Sequence, residues 1–86
     1  MAPPWIVERI DEYTLRLGNL GTHPRRHVDI TLIAPKGLTA TYHLSTVEAR
    51  ATAELVAVGD FRKVVISWSS RWRRRRWSGA VPRATS

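Results

Sequence analysis

The chain has 86 residues, room for one domain, and a domain of this size buries only about 60–65% of the surface its unfolded chain exposes. Apolar residues make up 43% of it and cysteine is missing, which argues against disorder throughout and removes a disulfide framework, a thiolate zinc site, a cysteine nucleophile and an iron–sulfur cluster together. The formal net charge of +7 is unevenly placed: residues 1–70 hold eight Lys or Arg against seven Asp or Glu, whereas residues 71–86 hold six Arg and no acid.

No apolar run approaches the roughly 18 residues of a spanning helix, and the opening Met1-Ala2-Pro3-Pro4-Trp5 does not read as a signal peptide. The expectation is a protein of the reducing cytoplasm with no transmembrane segment.

In chain order, Trp5 to Ile10 and Tyr13 to Leu17 read as two short strands joined around Asp11-Glu12, with Tyr13, Leu15 and Leu17 on one face. Gly18-Asn19-Leu20-Gly21-Thr22-His23-Pro24 carries the turn formers of a loop. From His27 to Ser45 the pattern is cleaner. Val28, Ile30 and Leu32 alternate with Asp29 and Thr31, and Leu38, Ala40, Tyr42 and Leu44 alternate with Thr39, Thr41 and His43. Between them, Ala34-Pro35-Lys36-Gly37 has proline to set φ and glycine to supply a left-handed residue. Pairing Ala34 with Leu38 sets Leu32 against Ala40, Ile30 against Tyr42 and Val28 against Leu44, so every apolar pair shares a face. The same register sets Asp29 opposite His43, with His27 one diagonal step away.

Ser45-Thr46-Val47-Glu48 matches a capping box and predicts a helix over Thr46 to Val58, stopped by Gly59. Val47, Ala51, Leu55 and Val58 would face the sheet. Ala49, Ala53, Val56 and Ala57 would form a second stripe, open to water or to a partner subunit. From Phe61 the chain reads as a strand again, with Val64, Ile66, Trp68 and Trp72 in one phase. The expected fold is α+β in the order β-β-β-β-α-β, an antiparallel sheet of about five strands carrying one helix. Residues 1–72 would make the domain and residues 73–86 a basic Arg/Trp tail. Ser78 to Ser86 contains one Val and no other large apolar residue, so its removal is expected to leave the domain folded.

The stretch Leu38-Thr39-Ala40-Thr41-Tyr42-His43-Leu44-Ser45-Thr46-Val47-Glu48-Ala49-Arg50-Ala51 resembles short accessory proteins of actinobacteria and their bacteriophages. In those a strand runs through a Ser/Thr cap into an Ala-rich helix with a Glu-Ala-Arg element. Such proteins have no agreed activity, so the resemblance implies a setting, a small phage-type accessory protein in the host cytoplasm, and assigns no residue a role.

Enzymatic motifs are missing: no Gly-rich phosphate loop, no His-Glu helix pair and no Gly-x-Ser-x-Gly elbow occurs. The Asp29, His43 and His27 group reads as surface pairing on a solvated sheet face rather than as a metal site. No catalytic residue, metal ligand or cofactor is expected. The strongest signal is the run Arg71-Trp72-Arg73-Arg74-Arg75-Arg76-Trp77. Guanidinium groups bind phosphates bidentately and indoles offer flat faces for stacking on unpaired bases. The expectation is a non-enzymatic protein that binds nucleic acid through these seven residues with little sequence preference. A protein-interaction module acting on a host or partner protein is the alternative, and an anionic membrane surface suits Arg and Trp as well. A homodimer is compatible with either, through the helix's second stripe or the free sheet edges.

Overall fold

A computed structural model describes residues 3–83, and its seven strands make it all-β: β1 (Trp5–Asp11), β2 (Thr14–Asn19), β3 (Arg25–Ile33), β4 (Thr39–Val47), β5 (Thr52–Val56), β6 (Lys63–Ser69) and β7 (Arg74–Ala80). They form two antiparallel sheets, one ordered β1-β2-β5 and the other β4-β3-β6-β7. Leu15, Leu17 and Leu55 of the first sheet share one core with Val28, Ile30, Leu32, Val64 and Ile66 of the second. Among the described residues no helix is long and apolar enough to cross a membrane.

The central hairpin has the expected register: Leu32 pairs with Ala40, Ile30 with Tyr42, Val28 with Leu44 and Asp29 with His43. Its turn closes with the Ala34 and Gly37 amides donating to Leu38 and Ala34 carbonyls at 2.8 and 3.0 Å, and Gly37 takes φ 90. At the β1–β2 turn the Asp11 carboxylate accepts from the Tyr13 amide at 2.8 Å, the local bond that makes aspartate a turn former.

The α+β expectation, with its order β-β-β-β-α-β, is corrected at residues 46–58. There is no helix. Strand β4 continues through Thr46 and Val47, residues 48–51 turn with Arg50 at φ 64, and β5 returns antiparallel to β2. The helical stripe Val47, Ala51, Leu55 is spaced by four, and a spacing of four satisfies a period of 2 as well as one of 3.6. Ala53 and Ala57 continue that odd-numbered parity toward the core, while Glu54, Val56 and Val58 face water. The second small-residue stripe therefore does not exist as a surface: Ala57 is buried and Val56 exposed. The dimer contact expected from it is withdrawn, and so is the capped helix implied by the resemblance. Glu48 contributes its backbone instead, its carbonyl accepting from the Ala51 amide at 3.0 Å.

Asn19 organises the corner between the sheets. It is fully buried, its Nδ2 donating to the carbonyls of His23, Val47 and Glu48 at 3.0, 3.1 and 3.2 Å and its Oδ1 accepting from the Gly21 amide at 2.8 Å. Both chain segments bend here, and one buried amide side chain hydrogen-bonds backbone groups of both.

Candidate nucleic-acid interface

The segment expected to be a tail belongs to the sheet. Strand β6 ends at Ser69, the chain turns over residues 70–73, and β7 returns along β6 with Arg74 paired to Ser69, Arg75 to Trp68, Arg76 to Ser67 and Trp77 to Ile66. The turn closes with the Ser70 amide donating to the Arg73 carbonyl at 2.8 Å. A boundary between a domain 1–72 and a tail 73–86 thus falls inside a hairpin, and residues 84–86 of that tail lie outside the described residues. Val81, just beyond β7, is buried and its amide donates to the Arg62 carbonyl at 2.9 Å.

Strand alternation separates the basic run by face. Arg74 and Arg76 share the outer face with Ser67 and Ser69, whereas Arg75 and Trp77 lie on the inner side with Trp68 and Ile66. Trp77 is half-buried and packs against the core. Trp72, expected in phase with Trp68, stands instead at the hairpin tip, 88% exposed, with the Arg71 guanidinium 5.9 Å from its ring centre. Of the two indoles only Trp72 presents a free ring face; Trp77 is packed against the core.

Arg74 is engaged. It donates to Asp29 Oδ2 and to the Ser69 and Ser67 hydroxyls at 3.1 and 3.2 Å, and His43 Nδ1 lies 2.6 Å from the other Asp29 oxygen. His43, then Arg74, hold the Asp29 carboxyl below its ordinary pKa. Among the described residues Arg71, Arg73, Arg75 and Arg76 form no ion pair. Four of the five clustered arginines are thus available to an outside anion. His27, expected near this group, is an exposed residue at φ 50, and no cluster of three His, Asp or Glu suited to a metal occurs among the described residues.

One residue of the candidate site was hidden in the sequence. The β3–β6 pairing shifts register between Arg26 and Asp29, a bulge with His27 as its left-handed residue. In a regular strand Arg25 and Val28, three apart, would lie on opposite faces; the extra residue brings Arg25 onto the core side that Val28 faces. There its guanidinium lies 5.2 Å from the Trp5 ring centre and 5.0 Å from that of Trp68, two indoles packed edge to face with centres 5.7 Å apart. Burial, followed by the nearby Arg75, pushes the Arg25 pKa down from its ordinary value. The signal was Pro24-Arg25-Arg26-His27, a basic cluster in the nearly neutral first part of the chain.

The chain matches no protein-family profile, no curated protein and no solved structure.

Proposed function

We propose that the protein binds the phosphate backbone of nucleic acid through the β6–β7 hairpin, without enzymatic activity and with little sequence preference. The observation that carries this reading is the set Arg71, Arg73, Arg75 and Arg76, held on an ordered hairpin with no carboxylate partner among the described residues. Charges carried on a hairpin, Arg71 and Arg73 in its turn and Arg75 and Arg76 on β7, lose less conformational freedom on binding than charges on a free tail. Trp72 adds an exposed indole within reach of an unpaired base. A cytoplasmic setting is part of the same proposal.

Four phosphate contacts give a log–log salt slope of about −3.6 on duplex, from about 0.9 per contact. Changing Arg71, Arg73, Arg75 and Arg76 to Ser should flatten that slope toward zero in fluorescence anisotropy titrations. An unmodified protein that binds no oligonucleotide at low salt, where electrostatic affinity is greatest, overturns the proposal.

One observation favours a second reading, a protein partner. Strand β7 is a sheet edge paired only to β6, and such an edge can take an extended segment of another chain. Its arginines select an acidic segment and oppose pairing with a second copy of the same edge. A protein that co-purifies through nuclease treatment, with no oligonucleotide binding, supports that reading over the first.

A further inference from the structure

Arg25 is a cation short of partners. It is half-buried, and among the described residues it makes no ion pair and one hydrogen bond, from Nη1 to the Pro4 carbonyl. A guanidinium has five N–H donors, and a charge taken partly out of water normally faces an opposite charge. Beside it the fully buried Trp5 indole N–H has no acceptor among the described residues. The guanidinium is nevertheless held in place, stacked against Trp5 and Trp68 and closed in by Gly21, where an added Cβ would lie 2.7 Å from Arg25 Nη2. Two clefts open on this group. One of about 760 Å³ runs between the 21–27 segment and the β6–β7 turn, and one of about 610 Å³ lies toward Arg73–Arg76. Both are lined by Arg25, Trp68 and Ser70, and neither has an acidic residue in its wall. Their size is that of a small-ligand pocket.

We infer that Arg25 anchors one phosphate of a single-stranded nucleic acid that passes through these two clefts, from the Arg71 side of the β6–β7 turn to the β7 arginines, with Trp72 at the tip beside the entrance. The inference rests on the function proposed above and narrows it to single strands. A recessed guanidinium between two indoles is reached by a chain that can bend its backbone inward and turn a base onto Trp72. The phosphates of a duplex are held on a convex rod, so a duplex meets the exposed hairpin arginines and leaves Arg25 empty.

The test compares a labelled twelve-nucleotide thymidine strand with a hairpin duplex by fluorescence anisotropy at several salt concentrations. The unmodified protein should bind the single strand more tightly. Arg25→Gln should weaken single-strand binding about tenfold or more, the scale of a lost charge-assisted hydrogen bond, and lower the single-strand salt slope by about 0.7 while leaving the duplex slope unchanged. Gly21→Ala, which keeps every charge and displaces the guanidinium, should weaken the single strand selectively as well. Near-ultraviolet circular dichroism reports whether the indole packing survives in each variant. The single-strand preference of the unmodified protein needs no variant at all. Equal or tighter duplex binding by the unmodified protein, or equal losses on both substrates in a folded variant, overturns the inference while the hairpin proposal stands. Binding to neither substrate overturns both.

Discussion

On the proposed function, changing Asp29 to Asn should strengthen anion binding by the β6–β7 hairpin. Asp29 accepts from Arg74 with one carboxylate oxygen and lies 2.6 Å from His43 with the other. It neutralises the one arginine of the run 73–76 that has an acidic partner. The amide keeps the shape of the side chain and one acceptor but removes the charge, so Arg74 is freed without removing any strand pairing. A fifth available guanidinium should steepen the duplex salt slope from about −3.6 to about −4.5. The advantage of the variant should therefore shrink about 3.5-fold between about 50 and about 200 mM salt, the factor that one extra contact at 0.9 per phosphate generates over a fourfold salt range. Anisotropy titrations of one duplex with both proteins, at four or five salt concentrations, measure the slopes directly. The Asp29 pair is solvent-exposed, so a thermal melt should show the variant folded. An unchanged or shallower slope in a folded variant refutes the view that Asp29 holds Arg74 away from phosphate.

Three further outcomes follow from the fold. Deleting residues 78–86 removes three of the seven residues of β7 and the buried Val81. Val81 alone contributes about 1.5 kcal/mol or more, so the melting midpoint should fall by about 6 °C or more; an unchanged midpoint would restore the view of that segment as a dispensable tail. Asn19→Ala leaves the His23, Val47 and Glu48 carbonyls without their shared donor. It should cost about 2–4 kcal/mol in chemical denaturation, and Asn19→Asp, which sets a carboxylate against those carbonyls, should cost more. Acid should weaken the fold through Asp11, Asp29 and Asp60, held below their ordinary pKa chiefly by the Tyr13 amide, His43 and Arg62 respectively. A depressed folded-state pKa gives stability that is present above the unfolded value near about 3.9 and is lost as pH falls through the folded values. Midpoints measured from pH 6 to pH 2 should thus decline below about pH 4, and the triple Asn variant should decline less.

Alternation with turn chemistry was enough for the β3–β4 hairpin and located the β1–β2 pair. Tyr13, however, expected on one face with Leu15 and Leu17, lies outside β2 and is exposed, and Gly18 and Asn19, expected in a loop, extend β2. In a two-sided strand each residue's burial depends on its parity, and the registers Leu32–Ala40, Ile30–Tyr42 and Asp29–His43 follow from local pattern plus turn chemistry. The charge asymmetry was equally legible, because composition needs no fold. The 46–58 segment was not, since apolar residues four apart satisfy both periods and a Ser-x-x-Glu pair also occurs at the end of a strand. What decided it was a partner far along the chain: β2 offers a strand edge to residues 52–56, and Asn19 satisfies the turn between them. The arginine run shows the same division. Its residues announced a basic surface, but which of them are left without a carboxylate partner depends on contacts the sequence does not encode locally. Arg74 is taken by Asp29, 45 residues earlier in the chain. Trp77 is drawn into the core opposite Ile66, and Trp72 is left at the tip. Arg25 reaches Trp5 and Trp68 because a single extra residue in β3 reverses its face. Short-range periodicity sets strand and turn. Long-range pairing, and the bulge that shifts its phase, sets which charges remain unpaired and where they point.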